Sequence, residues 1–241
     1  YVREDDVCKP DQAVPAANRI YARAKQRLGV SSVRPWDCDV DRDPLSYPTL
    51  RPFENITDLM EKSEEIFQHV DPQLGEYYTI MRREGLLDLD NRKGKAPGGY
   101  CTDFPVAQRP FIFMNSVGVR GDVRTMLHES GHAFHVFETN HLPYIQQLQV
   151  TMEFAEVASM SMELLAAPYL SQKFGGFYTE QEAARDRVEH LERIILFWPY
   201  MAVVDAFQQW AHTQPDGIDP AACDAKWTEL QQRFMPGVDW S

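Results

Sequence analysis

The sequence has neither a long apolar run nor a paired cysteine motif. No stretch reaches the 18 or more apolar residues expected of a membrane-spanning helix, and no secretory signal pattern is present. The 4 cysteines are scattered without a CxxC pair. These absences predict a protein without a membrane helix or a disulfide framework, in the reducing environment of the cytoplasm.

Basic residues are also scarce. There are 24 Lys and Arg against 36 Asp and Glu, so the formal net charge is −12 at pH 7. This balance disfavours nucleic acid or an anionic membrane surface as a partner. Internal repeats, low-complexity tracts and the EF-hand spacing are absent as well. With 44% hydrophobic residues in 241, the chain can bury a sizeable core, as one large domain or most of one.

Helical patterns dominate what remains. Four prolines in residues 31–52 indicate an extended connection, and the polar residues 86–99 indicate a mobile loop. Pro199 is expected to kink or divide the helix in which it lies. A proline at the first helical position after Asp219 predicts a capped helix start. The predicted helices span residues 16–28, 57–70, 72–84, 150–165, 182–212 and 220–234.

The pentapeptide HESGH at residues 128–132 has the pattern of a zinc-binding helix. His128 and His132 are four residues apart, so both imidazoles lie on one helix face and can reach a single ion. Glu129 points about 100° away around the helix. It therefore flanks the ion, which suits a base acting on a water that the metal activates. The apolar flanks indicate a packed setting, where unpartnered polar groups are costly.

A catalytic zinc needs a third protein ligand and an open fourth position. Glu138 lies about 15 Å along the same helix from His128, too far to reach the ion. The candidates are three carboxylates of helix 150–165, which reads as a buried helix. Two of them share one face, where an arginine or backbone amides could pair with them instead of a metal. The spacing leaves the choice open among Glu153, Glu156 and Glu163.

A short strand at residues 111–115 precedes the metal helix. It is either an edge strand, which could pair with an extended peptide, or an interior strand. In the first case Phe113 and Asn115 are candidate substrate-binding residues. His135 and Glu163 are candidates for hydrogen bonds to a metal ligand. A packed or solvent-reaching histidine is the alternative for His135.

The segments HESGHAFH (128–135) and FAEVAS (154–159) resemble the oligoendopeptidase F and thimet oligopeptidase family of zinc peptidases, which carry HExGHxxH followed by F-x-E-x-x-S. Residues 98–105 (GGYCTDFP) and 111–115 (FIFMN) resemble the glycine-rich loop and the strand that precede the family's metal helix. The resemblance implies one Zn²⁺ per chain at His128, His132 and Glu156, with Glu129 as base. It also implies short peptides as substrates.

The expected fold is mainly α: a zincin-like metallopeptidase helical domain with a small β element before the HExxH helix. We expect one catalytic-domain fragment, with a helical part (1–97), a metal-site core (98–167) and C-terminal helices (168–241). Family members are longer, and this sequence begins at Tyr1. We therefore expect that an N-terminal helical portion and a C-terminal Tyr/His-rich segment lie outside it.

The expected function is zinc-dependent hydrolysis of internal bonds in short peptides. One alternative is a zinc carboxypeptidase of a related helical HExxH class. The other is a non-catalytic, metal-containing scaffold that binds peptides. Glu129 argues against the scaffold, because a structural zinc needs no carboxylate beside an open position. The sequence carries no signal for the oligomeric state.

Overall fold

The computed structural model describes residues 10–37 and 50–240, with side chains from residue 14 onward. The chain divides into two compact units. The metal-site unit comprises residues 49–186, and the terminal unit comprises residues 1–48 and 187–241. Most of the predicted extended connection, residues 38–49, lies outside the described residues.

The terminal unit is helical. It contains α1 (Pro10–Leu28), α8 (Pro220–Phe234) and most of α7 (Glu180–Thr213), whose first residues belong to the metal-site unit. The Asp219 side chain caps α8 by accepting a hydrogen bond from the backbone N–H of Ala222, so the predicted cap is confirmed. Of the two alternatives for Pro199, the division of the helix is wrong, because α7 is one continuous helix; the kink stays a prediction. Pro199 removes one backbone hydrogen-bond donor from the helix. The next turn is held in place because Ala202 and Val203 are buried in one cluster with Leu230 and Phe234 of α8.

The metal-site unit contains the other predicted helices, which are confirmed to within a few residues. Asn55 accepts a hydrogen bond from the Asp58 N–H at 2.9 Å, and Asp71 accepts one from the Gln73 N–H at 2.7 Å. These side chains satisfy donors that the first helical turn leaves unpaired. The helices are α2 (Ile56–Val70), α3 (Pro72–Arg83), α4 (Arg120–Thr139), α5 (Ile145–Leu148) and α6 (Met152–Ala166).

A three-stranded sheet precedes α4. Its strands are β1 (Leu87–Asp90), β2 (Tyr100–Phe104) and β3 (Arg109–Ser116), in the spatial order β1-β3-β2. β3 pairs in parallel with β1 and antiparallel with β2. The edge-strand alternative for residues 111–115 is therefore wrong, because the backbone of β3 is paired on both sides. The two edge strands of this sheet are β1 and β2.

Helix α6 is buried on one face only. Ser159, Met162 and Ala166 are buried, and this face packs against α4. The prediction of a buried helix is wrong for the opposite face, where five large apolar side chains are exposed among the described residues: Met152, Phe154, Val157, Leu164 and Leu165. The fold is thus mainly helical with one small sheet, as expected. Over the described residues, no helix combines the length and apolarity needed to cross a membrane.

Candidate metal centre

The metal centre depends on a close approach between α4 and α6 at Gly131. A β-carbon built on Gly131 would lie 2.6 Å from Ser159 Cα and 2.7 Å from the Ala158 carbonyl oxygen. Such distances are well inside van der Waals contact, so only glycine allows the two backbones to pack this closely. This contact places the first half of α6 beside the two histidines of α4.

Three side chains converge at this contact. Glu156 Oε2 lies 3.2 Å from His128 Nε2 and 3.7 Å from His132 Nε2. One ligand atom from each residue lies within 4.8 Å of the others, which is close enough to hold one metal ion. Ser159 Oγ donates a hydrogen bond to the same Glu156 oxygen at 2.7 Å. Two imidazole nitrogens and one carboxylate oxygen form a donor set typical of catalytic zinc.

Glu153 lies at the start of α6 and does not join this cluster. Its side chain is exposed, and hydrogen bonds to its own backbone N–H and to Thr151 lower its pKa. A carboxylate at this position pairs with the free N–H groups of the helix start. Of the three carboxylates that the spacing left open, only Glu156 faces both histidines.

Glu163 contacts the other side of the His128 ring. Its Oε1 lies 2.8 Å from His128 Nδ1. Because an ionised carboxylate can only accept a hydrogen bond, Nδ1 donates it, which leaves Nε2 as the ring nitrogen that a metal ion could bind. Glu163 also lies near Arg124, whose Nε is 3.9 Å from Oε2. The structure thus places Glu163 where sequence reasoning proposed a hydrogen bond to a metal ligand.

The charges continue beyond Glu163 in a row of alternating sign. Arg124 Nη2 lies 3.6 Å from Asp186 Oδ1, and Arg120 Nε lies 3.7 Å from the same oxygen. All three side chains are largely buried, where a charge needs partners of opposite sign. Sequence reasoning missed Arg124 and Asp186. The four-residue spacing of Arg124 and His128 on one helix face was the available signal.

Glu129 is buried beside the cluster. Burial raises the pKa of Glu129 above its usual value. The charge of His128 and the backbone N–H of Cys101 both lower this pKa, but burial outweighs them. Cys101 belongs to the edge strand β2. The candidate base therefore lies between the ligand cluster and the edge of the sheet. Sequence reasoning also missed Cys101 as a neighbour of Glu129.

The two histidines have different electrostatic surroundings. Burial lowers the pKa of His128, but the hydrogen bond to Glu163 and the nearby carboxylate charges outweigh it, so the net pKa is raised. Burial lowers the pKa of His132, and the charge of Glu156 offsets this only in part. A metal ion would bind the neutral form of each imidazole.

His135 does not contact the ligand cluster. Its ring makes an edge contact with Phe154 at 6.4 Å and lines a cavity of about 520 Å³ beside His132. Of the alternatives for His135, the structure favours a histidine that reaches an open space. The other residues around this cavity come from β2, the last turns of α4, and α5 with the chain that follows it: Cys101, Thr102, Asp103, Pro105, Val136, Thr139, Asn140, Ile145, Leu148, Gln149, Val150, Met152 and Ala155.

Phe113 and Asn115 lie on β3 and face the loop before β2. The Phe113 ring stacks on Tyr100 with centroids 5.0 Å apart. Asn115 Nδ2 donates hydrogen bonds to the carbonyl oxygens of Ala96 and Gly98 at 2.6 and 3.0 Å. The argument that made them substrate-binding residues is wrong, because it needed a free edge on β3. Their contacts support the loop that leads to β2.

Known proteins are similar to this chain in sequence and in fold. Residues 10–241 match the model of peptidase family M3. Oligopeptidase PepF of Bacillus subtilis (strain 168) is 29% identical over 162 residues, which cover 65% of this chain and 23% of PepF. Oligoendopeptidase F of Lactococcus lactis subsp. cremoris is 24% identical over 153 residues, or 63% of this chain and 24% of the relative. The chain therefore spans about a quarter of the length of these relatives.

One solved structure, PZ peptidase A with inhibitor 2, superposes with a TM-score of 0.82 at 30% identity. The match covers 96% of this chain and 40% of that one. A fold similarity of this extent agrees with the family match over the same residues. The chain belongs to peptidase family M3.

Proposed function

We propose that this chain carries the catalytic centre of a zinc-dependent endopeptidase that acts on short peptides. One observation carries the proposal: His128, His132 and Glu156 converge from two helices, with Glu129 buried beside them. Family membership supports peptide hydrolysis, and relatives named oligopeptidase or oligoendopeptidase support short substrates and internal bonds.

The proposed zinc ligands are His128, His132 and Glu156. Their donor set suits zinc better than magnesium or calcium, which prefer oxygen ligands alone. When bound, zinc would lower the pKa of a coordinated water and polarise the scissile carbonyl group. Glu163 holds the His128 ring in the orientation that this coordination needs, and Ser159 holds the Glu156 carboxylate.

Glu129 is the proposed general base. Its carboxylate takes a proton from the attacking water and delivers it to the nitrogen of the leaving amine. Burial raises its pKa, which makes it a better proton acceptor than an exposed glutamate. From the side of β2, the backbone N–H of Cys101 lowers the pKa of this carboxylate.

The edge strand β2 is the proposed binding surface for the peptide backbone. An extended peptide can add to a sheet edge through main-chain hydrogen bonds, and β2 is the strand that faces both Glu129 and the cavity. A peptide on this edge would pass the ligand cluster with one side chain directed into the cavity. Polar and apolar side chains both line the cavity, and Val136, Leu148 and Met152 form part of its apolar lining. An apolar side chain at that position could pack against these three residues.

The test uses quenched fluorescent peptides of about ten residues with free or amidated C-termini. The expected result is cleavage of both forms, loss of cleavage with a zinc chelator, and recovery when zinc is added back. Cleavage of only the free form, next to its C-terminus, would indicate a carboxypeptidase instead. Zinc binding at one ion per chain without cleavage of any peptide in a broad library, by this chain and also by a protein extended at both ends, would support the non-catalytic scaffold.

A further inference from the structure

Lys95 is a buried lysine in a loop whose other residues are exposed. The loop, residues 91–99, joins β1 to β2, and the Lys95 side chain is only 1% exposed. Its ammonium lies over the Phe113 ring, 4.4 Å from the centroid. A buried ammonium is costly unless all of its hydrogens are bound.

Oxygen atoms surround the ammonium. Lys95 Nζ donates to the Asp88 carbonyl oxygen at 2.9 Å, to Asp88 Oδ1 at 3.1 Å and to the Asp90 carbonyl oxygen at 2.7 Å. It also contacts the carbonyl oxygen of Met114 on β3. Three hydrogens thus have four acceptors within reach, and the charge is satisfied without water.

These carbonyl groups lie at a break in the sheet. The register between β1 and β3 shifts between Asp88 and Asp90, and an irregularity of this kind interrupts the ladder of backbone hydrogen bonds. Lys95 binds carbonyls on both strands at this break. It therefore ties the loop to β1 and β3 at once.

The second half of the loop is fixed to the same strands. Asn115 on β3 binds the carbonyl oxygens of Ala96 and Gly98. A β-carbon on Gly99 would lie 2.9 Å from Thr125 Cγ2, so the chain passes directly against α4 just before β2 begins. Tyr100, the first residue of β2, stacks on Phe113 beneath the ammonium.

We propose that Lys95 is a positioning residue whose buried ammonium fixes the edge strand β2 against α4, and thereby sets where Glu129 and a bound peptide backbone meet. The backbone N–H of Cys101, two residues after Gly99, favours the charged form of the Glu129 carboxylate. Movement of the loop by a fraction of an ångström would be passed to this N–H and to the free edge of β2. The part of the proposal that concerns peptide rests on the proposed function; the part that concerns the strand does not.

Hydrogen exchange tests the strand directly. In Lys95→Met the methionine fills a similar volume without the charge. We expect the backbone amides of residues 96–104 to exchange at least about tenfold faster in this variant. A factor of ten corresponds to about 1.4 kcal/mol in the free energy of local opening. Amides of α4 and α6 and the zinc content should not change. Lys93→Met is the matched control, because Lys93 is an exposed lysine of the same loop. Equal exchange in Lys95→Met and wild type would overturn the proposal.

Kinetics test the consequence for peptide. A binding surface that contributes equally to the ground state and the transition state affects KM more than kcat when it is lost. We therefore expect KM to rise about tenfold in Lys95→Met, which corresponds to a loss of about 1.4 kcal/mol of binding free energy. Lys95→Ala with added propylammonium should recover KM in part, whereas neutral propanol should not. Equal recovery with propanol, or a lower melting temperature with unchanged KM, would show that Lys95 only fills space or adds stability.

A second variant covers the case in which Lys95→Met does not fold. Asn115→Asp keeps the shape of the side chain but removes the two donors to the loop, and we expect the same local increase in exchange across residues 96–104. Unchanged exchange there would contradict the proposal. Faster exchange in the variants, together with a wild-type protein that cleaves no peptide, would support the role in the strand and count against the proposed function, so the two failures are separable.

Discussion

His128 and Glu163 form the hydrogen bond that orients the first histidine of the HExxH helix, with Nδ1 and Oε1 2.8 Å apart. On the opposite side of the same ring, Nε2 faces Glu156 Oε2 at 3.2 Å. One imidazole thus connects two carboxylates seven residues apart on α6. Glu163 accepts a hydrogen bond from Nδ1–H, and Glu156 would share the proposed metal with Nε2.

Glu163→Gln should weaken zinc binding about 10–100-fold, the usual cost of losing such a partner behind a ligand histidine. The amide keeps the size of the side chain but loses the charge that holds Nδ1–H. The measurement is zinc affinity by competition with a chromophoric chelator at pH 7.5. Glu153→Gln is the control, because Glu153 lies on the same helix and is exposed. Equal affinity in the two variants would contradict the orienting role.

Gly131→Ala should separate α4 from α6 and abolish zinc binding. The new methyl group would lie 2.6 Å from Ser159 Cα, and backbone atoms cannot yield as a flexible side chain can. Overpacking of this kind costs about 1–3 kcal/mol of the free energy of unfolding, and the displacement moves Glu156 away from both histidines. Thermal unfolding with and without zinc measures both effects, since only a protein that binds zinc is stabilised by it.

Gly121→Ala is the matched control for Gly131→Ala. It also adds a methyl group to a glycine of α4, but the nearest atom to that methyl would be Val119 Cγ2 at 4.0 Å. Zinc should stabilise Gly121→Ala as it does the wild type. If zinc stabilises Gly131→Ala to the same extent, the close approach of the helices is not required for the metal centre.

Asp88→Asn should destabilise the protein at neutral pH and lose its effect in acid. Hydrogen bonds from Arg92, with those from Lys95, outweigh burial and lower the pKa of Asp88 to about 2. Because the folded pKa lies below the unfolded one, the contribution to stability is present above about pH 4 and is lost as pH falls through about 2. Urea unfolding of variant and wild type at pH 7, 4 and 2 should show a difference that shrinks in that order. A difference independent of pH would contradict an ionic origin.

Much of the metal centre could be predicted from the sequence because its geometry is local. The spacing of His128 and His132 depends only on the period of one helix. The third ligand required contact between two helices, so spacing left three glutamates open and the resemblance to a peptidase family selected Glu156. The structure provides the physical reason for that choice, since Gly131 determines which turn of α6 approaches α4.

The sheet was predicted less well because strand order is not local. β1 has the sequence LDLD, which gives little sign of a strand, yet its pairing makes β3 a central strand. For the same reason, the polar residues 86–99 predict a mobile loop and give no sign that Lys95 is buried. A lysine is mostly exposed in proteins unless partners surround it, and here the partners are carbonyl groups of two strands that only the fold brings together.

Glu129→Gln separates metal binding from catalysis and is the most direct test of the proposed mechanism. Glutamine keeps the size and the hydrogen bond to Cys101 but cannot take a proton from water, so peptide cleavage should fall about 100-fold or more while zinc content stays at one ion per chain. Glu138→Gln is the control, because Glu138 lies on the same helix and is hydrogen-bonded to Tyr77 instead. Cleavage by fully zinc-loaded Glu129→Gln at the wild-type rate would require a different base, and the buried position of Glu129 beside the ligand cluster would then need another explanation.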